Sequence, residues 1–223
     1  MLNISLKGIT LREGDSIPHN HLFATCTDFI KLNHTYGMTN NISEWFKWFL
    51  ISAASYGVLF YANDWLASTL VYGLGVNWIY LPAGLRLFLT LVFALPGALG
   101  IAVASMLICW LGDFPQDLVT CIGIGLVSGF APYIARIFVL ANLPISADLS
   151  DLSLPKLLMC ILIYAFLSSG MHQWWFAIRG LDNTGSLNHF FVMFIGDVLG
   201  TILLIAVIKY GLDLLKKTRT IAL

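Results

Sequence analysis

Two residues of this chain carry charge inside otherwise apolar stretches. Asp197 lies within the run from His189 to Ile208, and Arg86 within a run that begins at Ile79. At 1.5 Å of rise per residue, Asp197 falls about 13 Å and Arg86 about 10 Å below the same end of their helices. A lone charge at such depth in a bilayer costs about 3 kcal/mol on insertion scales. The matched depths therefore predict an Arg86–Asp197 ion pair facing the protein interior, serving either to fix helix register or to hold a substrate or ion. Asn77, Tyr80, His172 and Trp175 are candidates for an outer pocket above it. The adjacent Trp174 and Trp175 read first as an interfacial anchoring belt and second as a platform for stacking a ligand.

Gly196 and Gly200 frame Asp197, and Gly125 and Gly129 repeat the spacing in another apolar run. This small-xxx-small pattern predicts packing surfaces where helices approach closely. Gly123-Ile124-Gly125 follows no strand, so a nucleotide-binding loop is not expected there. The chain shows no Ser/His/Asp constellation, no HExxH, no paired intramembrane carboxylates and no haem-like histidine pair. We expect no catalytic residues, no enzyme activity, no cofactor and no metal site. Cys26, Cys109, Cys121 and Cys160 share no CxxC or Cys/His spacing and read as small buried apolar residues, without a disulfide framework.

The elements that must position these residues follow from composition. Of 223 residues, 58% are hydrophobic and 11% charged, against roughly a quarter charged in an ordinary soluble domain. The excess apolar surface must face lipid. Twelve basic residues balance twelve acidic ones, so no nucleic-acid partner is implied. Lys7, Arg12, Glu13 and Asp15 interrupt any apolar core near the start, so a cleavable signal peptide is not expected. The fold class predicted is an all-α polytopic bundle of about six spans. It has a polar, largely irregular cytoplasmic tail over 1–42 with a short helix near 24–32, a transmembrane domain over 43–209, and a basic tail over 210–223.

Trp45, Lys47 and Trp48 open the first span, which runs to about Ala62. The 34 residues from Ile79 to Gly112 would extend about 50 Å as one helix, against a hydrocarbon core of about 30 Å. A break at Pro96-Gly97 gives spans near 79–95 and 97–112. Further spans are expected over 118–140, 155–170 and 189–208, with an outer loop from His172 to Asn188. The segment 65–81, with Gly73, Gly75 and Asn77, is too short for a crossing and return, and is expected to lie at the outer surface or to re-enter the protein.

With the N-terminus inside, ten basic residues fall at the cytoplasmic side, Arg179 falls outside and Arg86 lies within a span. The positive-inside rule therefore predicts both termini in the cytoplasm of a bacterial inner-membrane protein. Arg136 is expected to snorkel to the phosphate layer, and Asp148 and Asp151 to lie in a solvated cytoplasmic loop. Sequons at Asn3, Asn33 and Asn41 are discounted, because this orientation keeps them inside.

Two stretches resemble a known family. Trp78, Pro82 and Gly84, then Pro96-Gly97 and Gly100, resemble the opening of the MASE1 bacterial integral membrane sensory domains, and Gly196-Asp197 resembles the Gly-Asp near their last helix. The resemblance implies a module that detects a signal at the membrane and passes it to an output domain such as a kinase or diguanylate cyclase. Only about fifteen residues follow Ile208, so it implies a separate cytoplasmic or membrane protein partner. The short helices, glycine packing and outer segment also look like the substrate-binding subunits of energy-coupling-factor vitamin transporters, which bind a small molecule from outside. A purely structural role in the membrane is the third reading.

Overall fold

The computed structural model describes residues 42–112, 114–115, 117–142, 152–181 and 186–221, with the backbone alone at 212, 213 and 215–221. The expected tail helix, the three sequons, Asp148 and Asp151 lie outside the described residues, apart from the Ile42-Ser43 end of the third sequon. Helix α1 spans Ile42–Ala67 and leads into a 3₁₀ turn and the short antiparallel strands β1 (Val71–Gly73) and β2 (Val76–Asn77). Four further helices follow: α2 (Leu81–Leu111), α3 (Leu118–Asn142), α4 (Leu154–Arg179) and α5 (Leu187–Ile221).

Helices α2, α3, α4 and α5 are each long and apolar enough to cross a membrane. Large apolar side chains cover the outside as well as filling the core. Phe88, Val103, Leu126, Phe138, Leu162 and Leu203 face outward, while Ser52, Thr90, Ser128, Ser168 and Thr201 are buried. An apolar rind, with small hydroxyls buried among apolar core clusters, is what a lipid solvent selects.

Local chemistry explains the ends. Leu81 donates its backbone N–H to Asn63 Oδ1 at 3.0 Å, and Pro82 has no N–H to satisfy, so the first turn of α2 is capped from α1. Gly180 closes α4 in the left-handed region at φ 61°, and Leu181 donates to the Phe176 carbonyl at 3.1 Å. This is the glycine stop that a helix C-terminus favours. Helix α4 thus runs nine residues beyond Gly170, and the stretch expected to open an outer loop at His172 is helical to Arg179. The reason lies in its pattern, since His172, Gln173 and Phe176 continue the buried face.

The break in α2 falls at Ala94, two residues before Pro96, with φ 49° and ψ −125°. Eight residues of straight helix would separate Leu89 from Gly97 by about 12 Å. Instead, a β-carbon on Gly97 would stand 2.5 Å from the Leu89 carbonyl oxygen, and Leu89 shares one buried cluster with Ile101, Ala104 and Tyr56. The two limbs, 81–93 and 95–111, therefore lie side by side and antiparallel. Arg136 reaches this break. Its Nε donates at 3.4 Å to the Leu91 carbonyl, a group at the end of the first limb that the break leaves short of a helical partner.

Ala94 occupies a conformation that glycine tolerates and other residues resist. Ala94→Gly is expected to stabilise the protein by roughly 1 kcal/mol, read as a higher unfolding midpoint in detergent. A lower midpoint would show that the turn is not strained.

The loops at one end of the bundle meet. A β-carbon on Gly75 would touch Phe114 and Phe176, and one on Gly73 would touch His189, so the β-hairpin sits over the starts of α3 and α5 and the end of α4. Cys109 and Cys121 are joined by a disulfide at this end, with Cα atoms 5.4 Å apart. This corrects the expectation of four unpaired apolar cysteines. The short link between α2 and α3 brings helix ends within bridging distance, which no spacing motif announces.

Candidate functional site

The buried polar groups converge where α1, α2, α4 and α5 pack. Tyr56 on α1, Arg86 on α2, Tyr164 and Ser168 on α4 and Asp197 on α5 are all at most 4% exposed. Tyr80, in the non-helical backbone just before α2, joins them. Tyr164, Ser168 and His172 occur at steps of four, so they share one face of α4.

Arg86 is held by phenols. Its Nε donates to Tyr56 Oη at 3.2 Å, and its Nη2 donates to Tyr56 Oη at 2.7 Å and to Tyr80 Oη at 2.8 Å. The two hydroxyls are 3.0 Å apart. The guanidinium carbon also lies 5.2 Å and 5.0 Å from the two ring centroids, within cation–π range. No Arg86–Asp197 contact ion pair forms among the described residues, although the two charges are within electrostatic reach of each other and of Tyr80 and Tyr164. The expected contact pair is thus corrected. A helical side chain points back toward its N-terminus, and the Tyr80 and Tyr56 hydroxyls meet the guanidinium first.

What remains open is polar on both sides. Arg86 Nη1, both Asp197 carboxylate oxygens, Tyr164 Oη and Ser168 Oγ are buried without a hydrogen-bond partner. Ser168 lies near both Tyr164 and Asp197 without bonding geometry to either. Leaving such groups unpaired costs about 1–3 kcal/mol each, more when charged. Five unpartnered atoms from four neighbouring residues form an arrangement that a bound molecule could complete.

The other candidates are placed differently. His172 donates Nδ1–H to the Ser168 carbonyl at 2.8 Å, because a carbonyl can only accept, and its Nε2 lies 3.3 Å from the Ser128 hydroxyl. Trp175 donates Nε1–H to the Thr120 carbonyl at 3.2 Å, and its ring fills the notch left by Gly123. Both side chains tie α4 to α3, while Trp174 is exposed. Asn77 is half-buried in β2. A β-carbon added at Gly196 would overlap the Asn77 carbonyl, and one at Gly200 the Tyr80 carbonyl, while Gly125 and Gly129 meet the carbonyls of Ala102 and Ala98. Tyr80 N–H donates to the Gly196 carbonyl at 3.1 Å. Extended backbone is therefore pressed against α5 directly beside Asp197.

At the hairpin end, Asp117 caps α3, accepting from the Thr120 N–H at 2.9 Å and the Thr120 hydroxyl at 2.8 Å, and pairs with Arg179. Those Thr120 bonds, with Arg179 adding to them, lower the Asp117 carboxyl below the ordinary value. A lowered folded-state value stabilises above the unfolded carboxyl's range near 4, and that contribution is lost as pH falls through the folded value. Unfolding midpoints measured from about pH 6 to pH 3 are expected to fall more steeply for the wild type than for Asp117→Asn. Parallel curves would refute the linkage.

No protein-family model, no curated protein and no solved structure matches this chain.

Proposed function

We propose that this chain is a six-crossing bacterial inner-membrane protein with both termini in the cytoplasm, acting as a stand-alone MASE1-like sensory module. In this reading it binds a small molecule and passes the signal to a separate protein partner. The observation that carries the ligand-binding reading is the group of five unpartnered polar atoms on Arg86, Tyr164, Ser168 and Asp197. Non-helical backbone at membrane depth is tolerated only where protein or a cavity covers it, and helices interrupted in this way often bound substrate sites. The first limb of α2 has 13 residues, about 20 Å, and the non-helical stretch 78–80 continues its passage beside α5.

The antiparallel limbs of α2 support two crossings there, and α1 supplies the sixth. The Cys109–Cys121 bridge supports the orientation independently of the basic residues, since disulfides persist on the oxidising side of the inner membrane. Cysteine-alkylation gels of membranes expressing the full chain are expected to show this pair blocked until reduction. Alkaline phosphatase fused after residue 115 should be active, and green fluorescent protein fused after residue 223 should fluoresce. The opposite fusion pattern would invert the topology.

For the sensory role, full-length protein and protein lacking residues 210–223 would be purified from cross-linked membranes. A stoichiometric cytoplasmic partner that is lost with the tail supports signalling. Accumulation of a labelled small molecule in cells, lost on Asp197→Asn while the protein stays in the membrane, would support the transporter-subunit reading in its place.

A further inference from the structure

We propose that Asp197 is a reversible proton-binding site, and that its occupancy sets how firmly α5 is held against residues 77–81. This builds on the sensory reading above and names a ligand that needs no cavity. The open atoms of Arg86, Tyr164, Ser168 and Asp197 are all sealed from water, so a molecule could reach them only if the helices parted. A proton adds no heavy atom and needs only a lone pair.

The Asp197 carboxyl is the group arranged to gain and lose one. Its two oxygens are buried without a donor. The charged and titratable side chains within electrostatic reach of it are Arg86 on α2, Tyr80 just before α2 and Tyr164 on α4. Arg86 is a donor at every nitrogen, and its Nε and Nη2 are spent on the phenols of Tyr56 and Tyr80. Tyr56 of α1 and His172 of α4 stand behind this group. Both ring nitrogens of His172 are engaged, Nδ1 with the Ser168 carbonyl and Nε2 facing the Ser128 hydroxyl. On the hairpin side, α5 meets the Asn77 carbonyl at Gly196, and Tyr72 packs on His189 about 12 Å along the helix from Asp197. Tyr164 Oη and Ser168 Oγ can each accept and donate, so they can relay a proton to the carboxylate.

Uptake takes a proton from hydronium in the aqueous phase, leaves water behind and forms one O–H bond on a carboxylate oxygen. The carboxylate loses its charge, and the attraction between α5 and Arg86 on α2 goes with it. Arg86 keeps two phenol oxygens and two ring faces around its own charge. The attraction matters because α5 meets residues 77–81 backbone to backbone. Gly196 and Gly200 have no side chains to interlock there, and the Tyr80 N–H bonds to the Gly196 carbonyl across the contact at 3.1 Å. Protonation therefore loosens the seat of α5.

The test uses the purified full chain in detergent, with infrared spectra and amide hydrogen exchange recorded from about pH 9 to pH 4. A protonated-carboxyl band is expected to grow on acidification in the wild type beyond its growth in Asp197→Asn. Exchange of the Tyr80 amide, corrected for the intrinsic effect of pH, should speed up about tenfold over this range, the scale of a coupling between two sites. Asp197→Asn should lose that dependence. The double variant Arg86→Met/Asp197→Asn is a second reference for both measurements and should lose it too.

A wild-type minus Asp197→Asn band that does not change with pH would overturn the proposal. So would a titrating band accompanied by the same Tyr80 exchange at every pH. If Asp197 takes up no proton, but a small molecule raises the unfolding midpoint of the wild type and not of Asp197→Asn, the proton falls and the sensory reading stands. If neither is seen, both fall.

Discussion

Gly200→Leu is expected to prevent α5 from docking and to remove most folded protein from the membrane. A β-carbon at this position overlaps the Tyr80 carbonyl, and the nearest atoms are all backbone, so no side chain can swing aside. Overpacking usually costs about 1–3 kcal/mol, and a clash with fixed backbone belongs at or above the top of that range. Gly211 on the same helix has nothing within 4 Å of its added β-carbon, so Gly211→Leu is the matched control. Fluorescence-detected size exclusion of both variants should give a collapsed monodisperse peak for the first and a normal one for the second. Equal peaks would mean that α5 does not sit against residues 77–81 as described.

The second large effect is electrostatic. Arg86→Met is expected to cost about 3–5 kcal/mol, because it leaves Asp197 as a buried carboxylate without its only nearby counter-charge among the described residues. Adding Asp197→Asn should recover most of that loss. The recovery is the informative quantity, since neighbouring residues are non-additive when they interact and additive when they do not. Midpoints of the wild type, both single variants and the double variant complete the cycle. If the double variant is as unstable as the sum of the singles, the charges are not coupled across the gap.

Much of the frame was legible in the sequence, and the reasons are physical. Long apolar runs interrupted by Asp113-Phe114-Pro115 could only be helices of membrane type; α3, α4 and α5 have the length to cross, and α2 reaches it only across its break at Ala94. The depth argument placed Arg86 and Asp197 in one neighbourhood because helical rise is regular. It could not show that Tyr56, 30 residues upstream, would take the guanidinium, since nothing in α1 marks one tyrosine among several. Tyr164 and Ser168 were visible in principle, as the steps of four that end at His172. The extension of α4 was missed because the aromatic pair Trp174-Trp175 reads as an interface, whereas Trp175 turns inward to the space that Gly123 leaves. The disulfide was missed because bridging depends on where helices end in space, and spacing along the chain does not encode that.

Helix α5 has a mechanical property that its neighbours lack. It runs for 35 residues, about 52 Å, with no proline, whereas α2 contains two and α3 and α4 one each. Backbone touches backbone at Gly196 and Gly200, which makes that point a fulcrum. From Gly200 the arm toward Leu187 is about 20 Å long and the arm toward Ile221 about 32 Å. A rigid tilt about the fulcrum therefore moves the basic end about 1.6 times as far as the end beside the hairpin. The helix that carries Asp197 is built as a lever with its longer arm on the side of Lys216 and Arg219.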